Sequence, residues 1–476
     1  MSEPKAPRVA VLGAGIAGLS AAYELNKRAE RERRRIDVVV LETASRVGGK
    51  IVTESRDGAV FELGPDSFLT LKPDALELVD ELGLSGELMP TAPSPTTIFI
   101  YSQGALKALP SGTGLVPTSP LSLLSMDLLS WKGRARLAME PWAPAGEEGV
   151  DESLASFARR RLGQEALDKI VGPMLGGIFA GDPEKLSLQS AFPQLKDVEA
   201  KGGLWRAARA AKRQAGAKRA DRTMFMTLKG GLGRLVETLA LKLPAGRVRT
   251  NAPVQALRRR GGAWRVELRG GEAVEADAVI AAIPANLLSP LVADLDFELS
   301  CALGEIQFTS TATVSMLYDQ PGLAAKLDGF GFLVPRGENK ATTAATYTST
   351  KFPERAPKGA ALIRCFLGGA GREAAVDADD AQIARLARAE LKEILGLGEA
   401  HPRLTRVARW PKANPQYAIG HAMRLRRIAS CVQAHPGLHL TGASYEGVGV
   451  PDCIRQGRAA GSAAFKKVIT KAPAAA

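Results

Sequence analysis

Aromatic side chains make up only 5% of the 476 residues, and cysteine and histidine number four each. The cysteines (Cys301, Cys365, Cys431, Cys453) form no CxxC pair, and the histidines (His401, His421, His435, His439) form no HExxH or mixed Cys/His group. A disulfide framework and a structural zinc are therefore not expected as organising devices; no metal ligand is assigned, and the cysteines are expected as small buried residues. No stretch reaches the roughly 18 uncharged apolar residues of a spanning helix. The opening Met1-Ser2-Glu3-Pro4-Lys5 lacks the apolar core of a secretory signal, so residence in the cytosol is the simplest expectation. Nothing resembles a Ser/His/Asp constellation, so no catalytic acid, base or nucleophile is assigned. The chemistry is expected from a bound cofactor that the protein positions.

What is present is ordinary for a globular chain: 45% hydrophobic and 24% charged residues, with a length that implies two or three domains. The charge is less ordinary. A formal net charge of +13 raises the question of an anionic partner. The densest basic run, Lys201–Arg222, is interleaved with alanine and reads first as a solvated helix face, next as a contact for anionic lipid. Nucleic acid is not expected, because no helix-turn-helix, zinc finger or RNP-like motif accompanies the charge.

The first forty residues carry the clearest signal. Arg8–Leu12 reads as a buried strand that runs into Gly13-Ala14-Gly15-Ile16-Ala17-Gly18 and a helical pattern through Leu25; a second apolar run, Ile36–Leu41, ends on Glu42. This is the order of a dinucleotide-binding unit. Gly13 permits the tight turn, Gly15 lets a pyrophosphate reach the backbone, Gly18 lets helix and strand pack closely, and the helix N-terminus faces the phosphates. Glu42 can accept from a ribose 2′-OH and would repel a 2′-phosphate. Beyond it, Arg46-Val47-Gly48-Gly49-Lys50 adds a glycine doublet that NAD does not need and that suits a larger cofactor, with Arg46 as counter-charge. Phe61-Glu62-Leu63-Gly64-Pro65-Asp66-Ser67 supplies another turn without bulky side chains, and Lys72–Leu82 reads as an amphipathic helix stopped by Gly83.

From Met89 prolines accumulate, with a strand over Ile98–Tyr101. Pro120–Trp131 reads as one short apolar helix, either in a core or resting on a bilayer. Helices over Glu152–Leu162 and Glu165–Leu175 lead to the glycine-rich turn Gly176–Asp182. Strand–turn–helix texture resumes at Thr223–Leu235; strands follow at Val248–Asn251, Pro253–Arg258, Trp264–Leu268 and the fully apolar Asp277–Ile283. Thr311–Tyr318, Gly331–Val334, Thr342–Tyr347 and Ala361–Phe366 read as an antiparallel sheet, with a long helix over Ala381–Leu395. Finally His439–Ala443 is a strand ending in Ser444–Asp452 and a helix. Gly447, Gly449 and Pro451 place a helix N-terminus at that turn; aimed at the N1/C2 edge of a flavin, its dipole would stabilise the reduced form.

Gly13–Gly18, Arg46–Gly49 and Gly442–Val448 together resemble the FAD-dependent amine-oxidase-like superfamily. Phe61–Pro65, Gly104–Pro110, Gly177–Gly181, Ala282–Pro284, Gly329–Pro335, Pro415–Tyr417 and Gly442–Ile454 are similar, within it, to the oxygen-dependent protoporphyrinogen oxidase family. The resemblance covers essentially the whole chain. It implies non-covalent FAD and the six-electron oxidation of protoporphyrinogen IX to protoporphyrin IX, the penultimate step of haem synthesis, with dioxygen as acceptor and hydrogen peroxide released. It also implies a helical membrane-docking insertion, peripheral attachment to the inner face of the cell membrane and a homodimer. Carried over residue by residue, Gly13, Ala14, Gly15, Ile16, Ala17, Gly18, Glu42, Arg46, Gly48, Gly49 and Lys50 would line the ADP half of FAD, and Val254 would meet the adenine side through its backbone. Gly64, Pro65, Asp66, Ser67, Ala443, Val448, Gly449 and Val450 would line the flavin half. Gly177, Ile178, Phe330, Leu333 and Phe366 would bound an apolar substrate pocket.

The implied fold is α/β: a discontinuous Rossmann-like FAD-binding domain (1–90, 223–300 and 431–476), an α+β substrate domain with an antiparallel sheet (301–430), and a mostly helical insertion (91–222). One position departs from the family. Thr97-Ile98 stands where many members carry a basic residue that pairs with a substrate propionate, so that anchor is not assigned. A porphyrinogen's meso CH2 groups are activated hydride donors and aromatisation drives the reaction, so an apolar pocket without a strong base suits the task. Rival readings are an amine oxidase, which often uses a paired-aromatic cage where this chain has only Tyr445, a carotenoid-type desaturase, and a flavin-bearing membrane scaffold without turnover.

Overall fold

A computed structural model describes residues 6–109, 115–116, 119–214, 223–319, 323 and 327–471. At its centre is a parallel sheet whose strands come from far apart in the chain. Their order is Val248–Arg249, Asp37–Leu41, Arg8–Leu12, Ala278–Ala281, Leu438–Leu440, with Val9 opposite both Val38 and Ala278. These strands are apolar at nearly every position because both faces are covered. Val9, Val11, Val38, Val40 and Ile280 point to one core, shared with the helices Ile16–Arg31 and Val450–Lys471. Ala10, Leu12, Val39, Leu41 and Val279 point to the other, shared with the antiparallel strands Val254–Arg260, Ala263–Leu268 and Ala273–Ala276 and the helix Phe297–Gly304. The period-two split of one run between two cores is what strand geometry imposes.

The first and last of these helices touch backbone to backbone. A β-carbon on Gly457 would lie 2.2 Å from Ala17 O, and one on Gly461 would lie 2.5 Å from Ala21 O. Only glycine fits at either crossing point.

A seven-stranded sheet forms the second layer, in the order Leu404–Pro415, Phe308–Tyr318, Ala361–Gly368, Thr342–Tyr347, Gly331–Leu333, Ile98–Ser102, Ala105–Ala108. One face (Ala312, Val314, Met316, Ile363, Cys365, Leu367) packs on the helix Asp380–Leu395. The other bears Thr313, Arg364 and Phe366 and turns toward the nucleotide-type unit, where Thr313 Oγ1 donates to Leu63 O at 3.1 Å. Residues 98–108 thus belong to this sheet, although the proline-rich texture around them reads as the start of the helical insertion. Gln103 and Gly104, at φ 55° and 78°, close a hairpin whose first strand pairs in parallel with Gly331–Leu333.

Helices between residues 120 and 214 gather around Leu137, Phe157, Leu167, Phe179, Trp205 and Tyr417. The helix expected over Pro120–Trp131 covers only Pro120–Leu124, and a second helix, Trp131–Ala138, begins where it was to end. Ser130 starts the second by accepting from Gly133 N at 3.1 Å, and its own N–H and hydroxyl are held by Glu165. The basic stretch Lys201–Arg222 is described only to Gln214, as the helix Leu204–Gln214, and Pro110 and Ala215 lie outside the described residues. Among the described residues no helix is long and apolar enough to cross a membrane. Cys365, Cys431 and Cys453 are buried, but Cys301 is exposed, because it lies on the outer face of the helix Phe297–Gly304 while Leu299, Ala302 and Leu303 face the core.

Candidate functional site

The glycine turn is built as a phosphate cradle requires. Gly13 sits at φ 96°, donates its N–H to Leu41 O at 2.8 Å, and has no room for a side chain, since a β-carbon would meet Ile283 and Ala282 near 3 Å. At Gly18 a β-carbon would lie 2.0 Å from Gly13 O, so this glycine sets the helix against the strand. Gly15 differs from both. It has an ordinary φ of −73° and open space around it, with Gly49 Cα 4.0 Å from its β-position. The helix behind it, Ile16–Arg31, carries no side-chain cap and no acid in its first turn. Its first amides, from Ile16 to Gly18, are left facing that space, which is a site for an anion.

At the end of the second strand the Glu42 carboxylate accepts from Ala14 N and Ala44 N, both at 2.8 Å. The acid is thereby fixed in place beside the turn, a position from which to meet ribose hydroxyls. Val254 begins its strand just beyond Ala252, whose N–H donates to Glu42 O at 2.8 Å. The doublet Gly48-Gly49, both at positive φ, lies directly against the first turn: Gly48 N donates to Ala14 O at 2.8 Å, and Gly15 and Gly48 form a parallel bridge. Arg46 is exposed and clasps the Gly49 carbonyl at 2.9 Å. Lys50 reaches the Ala413 carbonyl, and burial pushes its ammonium pKa down.

Gly64 lies so near this segment that a β-carbon on it would stand 1.7 Å from Lys50 O. The turn it opens, Gly64-Pro65-Asp66-Ser67, rests on buried charge. Asp66 pairs with Lys351 at 3.3 Å and accepts from the Ser67 hydroxyl at 2.6 Å. Burial pushes the Asp66 carboxyl up, but Lys351, Arg364 and Ser67 outweigh it and hold it at about 2. Below it, Glu62 and Arg355 form a pair in which each side chain is 1% exposed. Glu62 also accepts from Leu232 N at 2.8 Å and Thr53 Oγ1 at 2.6 Å. Burial pushes the Glu62 carboxyl up and the Arg355 guanidinium down, each against the pull of its partner.

The C-terminal turn closes the far side. Ala443, Val448, Gly449 and Val450 lead into the 22-residue helix Val450–Lys471. Tyr417 holds this turn: its hydroxyl donates to Ala443 O at 2.8 Å and accepts from Gly447 N at 2.9 Å. The Tyr417 ring stacks on His421 at 4.1 Å, and His421 Nε2 meets Tyr445 O at 3.0 Å. Burial pushes the His421 pKa down, which leaves the imidazole neutral and donating.

Of the five residues expected to bound a pocket, Leu333 and Phe366 share one face of the seven-stranded sheet, both opposite Ala344. Gly177 and Ile178 are exposed at the end of that sheet, where Ala180 O accepts from Ala370 N at 2.8 Å. Phe330 bridges backbones: its N–H donates to Thr97 O at 2.8 Å and its carbonyl accepts from Tyr347 N at 2.9 Å. Thr97 is thus joined through its backbone to Phe330. Sequence reasoning passed over Arg364, although a lone cation inside the apolar run Ala361–Gly368 was a visible signal. It also gave Tyr417 no role.

The profile described as flavin containing amine oxidoreductase matches residues 16–463. The coproporphyrinogen III oxidase of Bacillus subtilis (strain 168) is 36% identical over 473 residues, covering 98% of this chain and 99% of that protein. The protoporphyrinogen oxidase of Homo sapiens is 36% identical over 480 residues, covering 95% and 97%. A crystal structure of a provisionally named protoporphyrinogen oxidase from Exiguobacterium sp. 255-15 superposes with a TM-score of 0.86 at 29% identity, covering 98% of this chain and all of that one.

Proposed function

Because the chain belongs to the flavin-containing amine oxidoreductase family and so takes FAD as its cofactor, we propose that it is a porphyrinogen oxidase of haem synthesis. In this reading protoporphyrinogen IX gives up six electrons and six protons to become protoporphyrin IX, while three O2 become three H2O2. Near-end-to-end similarity to a protoporphyrinogen oxidase, at 36% identity over 480 residues, carries it.

The residues present suit FAD. The open space at Gly15, the uncapped helix behind it and the anchored Glu42 fit an ADP moiety. The crowded Gly64 turn and the Tyr417-braced C-terminal turn offer two side-chain-poor walls for a planar ring. FAD, when bound, supplies the hydride-accepting chemistry. The chain's part is to hold a macrocycle against that ring with Leu333 and Phe366 and to keep water away with apolar wall. No residue needs to act as a strong base.

A second reading, coproporphyrinogen III as substrate, is favoured by the Bacillus similarity. The two substrates differ in carboxylate number, two against four, and Arg336 and Arg372 flank the Leu333 strand as candidate partners. Anaerobic addition of each porphyrinogen in parallel decides between them. Faster bleaching of the flavin band by protoporphyrinogen IX supports the first reading, and faster bleaching by coproporphyrinogen III replaces it with the second. A band that neither bleaches rejects both and leaves the amine and desaturase chemistries.

Attachment to the inner face of the membrane, as a cytoplasmic peripheral homodimer, belongs to the same proposal. Its support is the helical unit's exposed apolar side chains, among them Leu121 (77%), Trp131 (73%) and Trp142 (79%), beside Lys132 and Arg134. The full chain should float with anionic liposomes, and recovery wholly in the bottom fraction at low salt rejects the attachment. Light scattering tests the dimer.

A further inference from the structure

Arg364 is a buried cation with no carboxylate of its own. Its residue is 4% exposed, and among the described residues it makes no ion pair within 4.0 Å. Its guanidinium donates to Gly64 O and, at 3.4 Å, to Leu63 O, and it lies over the Phe366 ring at 4.7 Å. Its Nε is buried and has no hydrogen-bond partner. Buried cations are normally paired, because an isolated one loses its hydration with nothing to replace it.

The neighbouring charges do not cancel it. Lys351 answers Asp66 and Arg355 answers Glu62, with the exposed Glu354 also acting on Arg355; Asp66 and Glu62 attract Arg364 without pairing with it, so the inner cluster holds three cations and two carboxylates. Protonation of Glu62, toward which its burial pushes, would only enlarge the excess. The guanidinium itself lies against the Leu63 and Gly64 carbonyls, where the Gly64–Ser67 turn begins, and over the Phe366 ring. A hydrated propionate has poor access to so deep a group. A ring that gains negative charge on reduction, lying against that turn, does not need access to the guanidinium to feel its field.

We propose that Arg364 tunes the redox potential of the bound flavin, its uncompensated charge favouring the reduced, anionic ring and so the withdrawal of hydride from a reduced substrate. It is a positioning and electrostatic residue, acting through the turn it braces. The inference rests on the proposed seat of the isoalloxazine against Gly64–Ser67, and not on which porphyrinogen is oxidised.

The test is the midpoint potential of the FAD-loaded protein, measured against a reference dye under anaerobic conditions, with FAD affinity measured in parallel. Arg364→Gln keeps a donor for the turn carbonyls and removes the charge; the flavin–dye equilibrium should shift toward oxidised flavin at least tenfold, about 30 mV for a two-electron couple. Arg364→Lys should stay within about threefold of the parent, on the same conversion. Asp66→Asn removes a carboxylate from the same cluster and should shift the equilibrium the other way. If Arg364→Gln does not load FAD, the Lys and Asn variants still decide the matter. Equal loss in the Lys and Gln variants, or shifts of one sign in Arg364 and Asp66 variants alike, would mean a structural role and overturn the proposal. An unmoved potential in Arg364→Gln does so too, and leaves the substrate reading intact, since wild-type bleaching by porphyrinogen is scored separately.

Discussion

Replacing Gly15 by alanine separates the cofactor cradle from the fold that carries it. Gly15 holds a φ of −73°, which any residue adopts, and its β-carbon would meet nothing nearer than Gly49 Cα at 4.0 Å. The apo-protein loses only the cap preference for Gly over Ala, about 0.5–1 kcal/mol. A stiffer unfolded chain offsets it by about 0.4–1 kcal/mol. Urea unfolding of apo-G15A should therefore match the parent to within about 0.5 kcal/mol. Yet the same methyl stands where a pyrophosphate oxygen must approach the first amides of the helix. Losing one hydrogen bond to a charged group costs about 1.5–3 kcal/mol, which is about 10- to 150-fold in Kd. Titration of apo-protein with FAD, followed by quenching of flavin fluorescence, reads that loss directly. Gly18→Ala is the contrast: its β-carbon would lie 2.0 Å from Gly13 O, so the apo-protein itself should be destabilised. FAD binding by G15A as tight as the parent's would remove the pyrophosphate from this turn. Loss of apo stability in G15A would mean that the glycine serves packing after all.

Arg355→Met strands the Glu62 carboxylate, 1% exposed, and should cost about 3–5 kcal/mol in urea unfolding; Glu62→Gln on top of it should cost much less than the two singles added, and full additivity would refute the pairing. Tyr417→Phe removes the hydroxyl between Ala443 O and Gly447 N; about 1–3 kcal/mol of stability and some FAD affinity should go together, and a loss of neither would mean the turn is held otherwise. Asp66 titrates at about 2 in the fold against an ordinary 3.8, so its stabilising contribution is whole above about pH 4 and is lost as the pH falls through 2. Lys351→Met removes its main cation and should move acid unfolding to higher pH, whereas an unmoved acid transition would refute the linkage. His421 is held below its ordinary 6.5 by burial, so its contribution is present above that pH and drains away below it; in His421→Gln the fall in stability as the pH drops below about 6.5 should flatten.

The glycine turns were legible in the residues because only glycine satisfies the backbone at these close approaches and positive φ angles. Gly13, Gly18, Gly49 and Gly64 are each confined by positive φ or by atoms within about 3 Å of a β-position. The strand Leu404–Pro415 was not legible. Its run of Arg406, Arg409 and Lys412, with Pro411 inside it, has no apolar alternation; it pairs on one side only, with Phe308–Leu317, and an edge tolerates proline and charge. The helix His421–Gln433 was missed for a related reason: only His421, Ile428 and Cys431 are buried on it, too few to write a periodic stripe. The charge cluster under Gly64 could not be read because Glu62, Lys351, Arg355 and Arg364 meet only through tertiary packing of two layers.

The backbone contact between the helices Ile16–Arg31 and Val450–Lys471 also has a consequence in time. A ribosome delivers the glycine turn, Glu42 and the doublet well before the helix that packs on them through Gly457 and Gly461 and the strand Leu438–Leu440 that borders the sheet, which follow Gly49 by 389 residues or more. Until then one face of the nascent nucleotide unit stays bare, and the flavin end of the cradle has no far wall. Cofactor loading is thereby postponed until Val450–Lys471 has emerged, and a polypeptide that stalls short of Val450 would leave the ribosome colourless.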